Sequence, residues 1–117
     1  MLEKLVAAKG DSRYESILDF IEQHLHEPLH YDMLTREFHI SKSALYELFQ
    51  QQCGMPVHAY IEKKRMERAA EQLRETDKSV MSIALGVGIT DQNYFTRRFK
   101  KHYELSPLKY RGQYQSK

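Results

Sequence analysis

Two stretches of this 117-residue chain carry the same pattern, and that repeat narrows the possible folds more than any other feature. Ser41, Leu45, Phe49 and Tyr60 recur fifty positions later as Asp91, Phe95, Phe99 and Tyr110. Upstream, Leu34, Phe38, His39 and Ile40 recur at a spacing of forty-nine as Ile83, Val87, Gly88 and Ile89. The additional residue of the second copy is Thr90, which falls in its turn. Apolar residues at intervals of three and four mark helices, and Ser and Asp are N-cap types. Each copy therefore reads as a short helix, a tight turn and a longer capped helix, a helix-turn-helix layout.

The remaining elements fit around the two copies. Ser12-Arg13-Tyr14-Glu15 reads as a capping box for a helix containing Ile17, Leu18, Ile21 and Leu25, closed by Pro28. Residues 31–38 form a short amphipathic helix, and Ser41 caps the next, which ends near Cys53-Gly54. Pro56 opens a long helix to about Glu75, with Ile61, Met66, Ala69, Ala70 and Leu73 inward. A short helix with Val80, Ile83, Ala84 and Val87 is broken by Gly88, Asp91 caps another, and Ser106-Pro107 opens the last. The expected fold is all-α, with seven helices and no strand. Two helix-turn-helix subdomains, 12–55 and 76–113, are joined by a linker helix, 56–75. Residues 1–11 read as a tail or linker stub and 114–117 as a short tail.

Composition agrees with a compact helical chain. Charged residues make up 29% and hydrophobic ones 41%, which suits a folded rather than a disordered protein. No apolar run approaches the ~20 residues that span a bilayer, so no membrane association is expected. A single Cys cannot form an internal disulfide, and a reducing, cytoplasmic setting is expected. The formal charge of +2 is unevenly spread. Residues 1–60 hold 5 Lys and Arg against 9 Asp and Glu, and residues 61–117 hold 13 against 7. Six bases (Arg97, Arg98, Lys100, Lys101, Lys109, Arg111) and one acid, Glu104, lie between Arg97 and Arg111. Such a surface is an electrostatic footprint for a polyanion.

The faces opposite the apolar stripes carry the chemistry. With Leu45, Leu48 and Phe49 inward, the outward stripe of the first copy is Ser43, Tyr46, Glu47 and Gln50. The second copy presents Asn93, Thr96, Arg97 and Lys100, with Gln92 one position earlier. Arg pairs with guanine through two hydrogen bonds, Asn and Gln pair with adenine, and Thr offers a hydroxyl and a methyl. Lys42, Arg98, Lys100 and Lys101 are placed to hold phosphates, which set register without reading sequence. In the first copy Tyr46 suits a thymine methyl, whereas Glu47 faces phosphate repulsion unless it accepts from a cytosine amino group. A base-reading face and a plain solvated face are equally good readings of that first stripe.

The run Gly88-Ile89-Thr90-Asp91-Gln92-Asn93-Tyr94-Phe95-Thr96-Arg97-Arg98-Phe99-Lys100-Lys101, continuing through Ser106-Pro107-Leu108-Lys109-Tyr110-Arg111, resembles the signature of the AraC/XylS family of bacterial transcription regulators. Ser41 to Phe49, Tyr60-Ile61, Arg65, Ala69 and Leu73 also resemble it, so the likeness covers residues 13–111. The resemblance implies seven helices in two helix-turn-helix subdomains, with both recognition helices in successive major grooves. It carries base reading to Ser43, Tyr46, Glu47 and Gln50 in the first helix and to Gln92, Asn93, Thr96 and Arg97 in the second. The chain departs from the family pattern at Thr35, where a small Ala is usual, and at Ile89, where an aromatic is common. His39 and Glu104 stand where Gly is usual, and the alignment of His39 with Gly88 predicts a strained or left-handed turn there.

Other residues suggest less. His24 and His26 do not share a helix face, and with His30 they read as solvated or capping histidines, so no metal or cofactor is expected. Cys53 continues the inward stripe of Leu45 and Phe49 as a small buried hydrophobe. No nucleophile set, phosphate-cradling Gly loop or carboxylate pair is present, which argues against an enzyme. The expected function is sequence-specific binding of double-stranded DNA at an asymmetric promoter site by a bacterial transcription regulator, as activator or repressor. RNA polymerase is the further partner, the isolated domain is monomeric, and the protein is nucleoid-associated when bound. The alternative is a protein-binding helical module that no longer binds DNA, motivated by the acidic first half and Glu47.

Overall fold

A computed structural model describes residues 2–115, with side chains from Arg13 onward. Among these residues there are seven helices and no strand: α1 (Leu2–Gln23), α2 (Tyr31–Phe38), α3 (Lys42–Cys53), α4 (Val57–Glu75), α5 (Val80–Gly86), α6 (Gln92–Tyr103) and α7 (Pro107–Gln115). The chain divides into two compact units. Among the described residues, the first comprises those up to His24 and Leu29–Ile61, the second Leu25–Pro28 and those from Glu62 onward. Helix α4 begins in the first unit and continues in the second, whose share starts at Glu62.

The turn-helix starts follow the capping chemistry. Ser41 Oγ accepts from Ala44 N at 3.1 Å, and Asp91 Oδ1 accepts from Tyr94 N at 3.0 Å. Each satisfies one of the unpaired N–H groups that open a helix. Ser79 caps α5 in the same way, through Ser82 N at 3.0 Å. Helix α1 differs from the expectation, because it opens at Leu2 and places Ser12 and Glu15 inside the helix. The preceding Leu, Glu, Lys and Ala residues favour helix, and Gly10 alone, at about 1 kcal/mol, does not stop it.

The repeat is visible in the backbone itself. His39 (φ 51°) and Gly88 (φ 84°) are both left-handed, as are Gly54 (φ 72°) and Glu104 (φ 65°). The turns close with equivalent bonds, Ile40 N to Thr35 O at 3.1 Å and Ile89 N to Ala84 O at 2.9 Å. His39 thus occupies the left-handed position that its alignment with Gly88 predicts.

Each unit has its own core. In the first, Ile17, Ile21, Leu34, Leu45 and Phe49 are fully buried, and the Phe49 ring meets Tyr14 and Tyr60 edge-on at 5.2 and 5.6 Å. Cys53 is only half-buried, its Sγ 3.8 Å from Met55 O. In the second, Met66, Ala69, Ala70 and Leu73 of α4 pack with Ile83, Ala84, Val87, Phe95, Phe99 and Tyr110. Phe99 and Tyr103 stack at 4.7 Å, and Phe99 meets Tyr110 edge-on at 5.3 Å. Burying Phe95 and Phe99 fixes which side of α6 faces inward, and so which side is left for a partner.

Candidate nucleic-acid interface

In the first unit, Ser43, Tyr46 and Glu47 are exposed on α3, while Gln50 is half-buried. The Lys42 ammonium lies 5.2 Å from the centre of the Tyr31 ring, at the start of α2. Tyr31, Lys42, Ser43, Tyr46 and Glu47 together line an open concavity of about 540 Å³. Tyr31 was not expected at this surface, since no helical periodicity links it to α3.

In the second unit, Gln92, Asn93 and Arg97 are exposed on α6. Thr96 is half-buried and, with Gln92, lines a small cleft of about 90 Å³ completed by Val80, Ser106, Pro107 and Leu108. The Arg97 guanidinium carbon sits 5.9 Å from the centre of the Tyr94 ring, one turn earlier on the helix. Lys100 and Lys101 are exposed near the end of α6. Seven of the residues expected to touch DNA, Arg98 among them, thus share α6 with Tyr94, an exposed aromatic that the polar stripe did not single out.

Arg98 behaves differently. Its Nε donates to Glu62 Oε1 at 2.9 Å and its Nη2 to Glu62 Oε2 at 2.5 Å, a two-pronged ion pair between α6 and α4. His102 Nε2 lies 2.8 Å from the same Oε2. A carboxylate only accepts, so Nε2 carries the proton in this contact. Burial raises the Glu62 pKa, but the hydrogen bonds and charges of Arg98 and His102 outweigh it and hold the carboxyl below its ordinary value. The hydrogen bond with Glu62 raises the pKa of Arg98 in turn. Sequence reasoning missed Glu62 because its partner is thirty-six positions away; only the i, i+4 spacing of Arg98 and His102 hinted that they share a neighbour.

Two helix-turn-helix units with exposed polar faces and no strand among the described residues define a double helix-turn-helix protein. Residues 34–113 match the helix-turn-helix domain family. The chain is 34% identical over 110 residues to the HTH-type transcriptional regulator YijO of Escherichia coli K12, covering 94% of this chain and 39% of that protein. It is 32% identical over 96 residues to the multiple antibiotic resistance protein MarA of Salmonella typhimurium, covering 82% of this chain and 76% of MarA. A solved transcriptional regulator from Chromobacterium violaceum, described as AraC-type DNA-binding domain-containing, superposes with a TM-score of 0.84 at 26% identity, covering 92% and 96% of the two chains. The chain belongs to the AraC/XylS family and corresponds to the family's double helix-turn-helix DNA-binding domain. It spans about two fifths of the length of relatives such as YijO.

Proposed function

We propose that this chain binds double-stranded DNA in a sequence-specific way at an asymmetric promoter site, with α3 and α6 in successive major grooves. The observation that carries the reading is the exposed face of α6, where Gln92, Asn93 and Arg97 stand clear of the core beside Lys100 and Lys101. These are base-pairing side chains next to phosphate-holding ones, on the element that a helix-turn-helix inserts. Gln92, Asn93, Thr96 and Arg97 read one half-site, and Ser43, Tyr46, Glu47 and Gln50 read the other. Lys42, Lys100 and Lys101 hold phosphates; Arg98 reaches one only by leaving Glu62.

The 19 residues of α4 correspond to about 28 Å of helix. That length is comparable with the roughly 34 Å that separates major grooves on one face of B-DNA. The two faces differ in sequence, so two unlike half-sites about 10 base pairs apart are expected. Such a domain works as a monomer and, in an activator, beside RNA polymerase on the promoter in the cytoplasm. Selection from random duplexes, followed by hydroxyl-radical footprinting, tests the reading. An asymmetric site protected over two adjacent major grooves supports it, whereas a palindromic site or protection of one groove overturns the two-helix arrangement. Affinity that barely changes with salt favours a protein-binding module instead, because a protein interface releases no condensed counterions.

A further inference from the structure

The second unit ties one of its cations into a clasp that its sister unit lacks. Arg98 and His102 of α6 converge on a single carboxylate, Glu62 of α4. The positions fifty residues earlier than Arg98 and His102 are Leu48 and Gln52, which cannot make an equivalent pair. The same turn-helix therefore forms in the first unit without the clasp, and building the motif does not require it. Lys100 and Lys101, on the same helix, stay exposed. The pair is nonetheless within reach of a ligand, since the side chains of Glu62 and Arg98 keep 23% and 33% of their accessible surface. A phosphate diester and a carboxylate offer the same guanidinium fork the same two-oxygen partner.

We propose that Glu62 is an internal competitor for DNA phosphate: by holding Arg98, with His102 on the same carboxylate, it keeps this cation out of sequence-independent contact. The inference rests on the DNA-binding reading above and concerns how tightly that surface grips any duplex. Sequence-independent affinity rises with each phosphate neutralised, whereas base reading does not. Withholding one cation weakens the grip on every duplex alike, so the protein is held less long on the non-cognate DNA it must leave. Glu62 is thus an affinity-limiting residue that touches no base.

The test measures affinity for a mixed-sequence duplex against salt concentration, for the wild type, Glu62→Gln and the double variant Glu62→Gln/Arg98→Gln. Freeing Arg98 adds one phosphate contact, which steepens the logarithmic salt slope by about 0.9. Between 50 and 200 mM salt, Glu62→Gln then loses about 3.5-fold more affinity than the wild type does. The double variant returns to the wild-type slope. An unchanged slope in Glu62→Gln overturns the proposal, and so does a double variant that keeps the steeper slope, since removal of an acid alone then explains it. A second readout needs no variant. In the wild type, the Arg98 Nε–H resonance stays in place when the mixed duplex is added, while that of Arg97 moves. A shift of Arg98 to a phosphate-bound position overturns the proposal even where Glu62→Gln does not fold. Wild-type protein that shows no salt-dependent duplex binding overturns the DNA-binding reading itself, and this inference with it.

Discussion

Arg65 and Gln115 stand fifty positions apart, and each binds backbone carbonyls where a helix gives way to the following segment. Arg65 donates from Nε to Leu25 O at 3.2 Å and from Nη2 to Glu27 O at 2.7 Å, just beyond the end of α1. Gln115 donates from Nε2 to Leu73 O at 2.9 Å and to Arg74 O and Thr76 O at 3.0 Å, at the end of α4. Carbonyls in the last turn of a helix, and in the irregular residues just after it, have no partner within the helix, so a distant side chain supplies one. The charged donor makes the stronger bonds, and Arg111 shares the work of Gln115 by donating to Leu73 O and Thr76 O at 3.1 Å. Arg65→Ala is therefore expected to lower stability by about 2 kcal/mol and Gln115→Ala by about 1 kcal/mol or less. Urea denaturation reads both, and the reverse order would mean that water replaces the arginine without loss.

Gly88 and Gly54 separate two reasons for a glycine. Both have positive φ, but a Cβ on Gly88 would sit 2.5 Å from Leu25 O and 3.0 Å from Arg65 Nη2. At Gly54 an added Cβ would meet nothing within 4 Å. Gly54→Ala is expected to cost only the left-handed strain, about 1 kcal/mol. Gly88→Ala adds a collision with backbone and is expected to cost about 3 kcal/mol or more. Equal losses in thermal unfolding would mean that residues 25–28 move aside freely.

His39 and Glu104 present the opposite case, since each holds a left-handed conformation without being glycine. Removing the Cβ relieves strain but loosens the unfolded chain, and the two effects partly offset each other. His39→Gly and Glu104→Gly are expected to range from neutral to stabilising by about 1 kcal/mol. A melting temperature that falls clearly in either variant would show side-chain contacts that outweigh the strain.

The elements that the sequence reveals are those governed by local chemistry. Ser41 and Asp91 cap their helices, and His39 is left-handed, because each depends on neighbours within a few residues. The fifty-residue repeat exposes the core because Leu45, Phe49, Phe95 and Phe99 answer to one helical period. The start of α1 is misjudged because a capping box also occurs inside helices, and nothing after Leu2 breaks the run. Which way an outward side chain turns is not a local property. Arg97 and Arg98 are identical neighbours, and their different fates are decided by Tyr94 on the same helix and by Glu62 on another.

The clasp also predicts an acid response. Glu62 holds its proton more weakly when folded than when unfolded, where its value is near 4.5. Its contribution to stability is therefore complete above that pH and fades as the pH falls through the lower folded value. Glu62→Gln has no such proton to gain, so the difference in melting temperature between it and the wild type should shrink on acidification. A difference that stays constant from neutral pH down to strong acid would mean the ion pair adds no net stability.

Arg97 is the proposed base reader on which specificity is expected to depend most. Its guanidinium carbon lies 5.9 Å from the Tyr94 ring centre, and both side chains are exposed on α6. A guanidinium over a ring keeps its in-plane N–H groups free, and restricting its rotamers beforehand lowers the entropy lost on binding. Arg97→Ala is expected to cost about 1–3 kcal/mol on the cognate duplex and to relax preference at one base pair. Tyr94→Ala is expected to cost less, about 0.5–1 kcal/mol, at that same base pair, and Tyr94→Phe to retain the preference because the ring face remains. Binding to a panel of duplexes with single base-pair substitutions checks both. If Arg97→Ala weakens every duplex equally, Arg97 holds a phosphate, and Tyr94 then has no base reader to position.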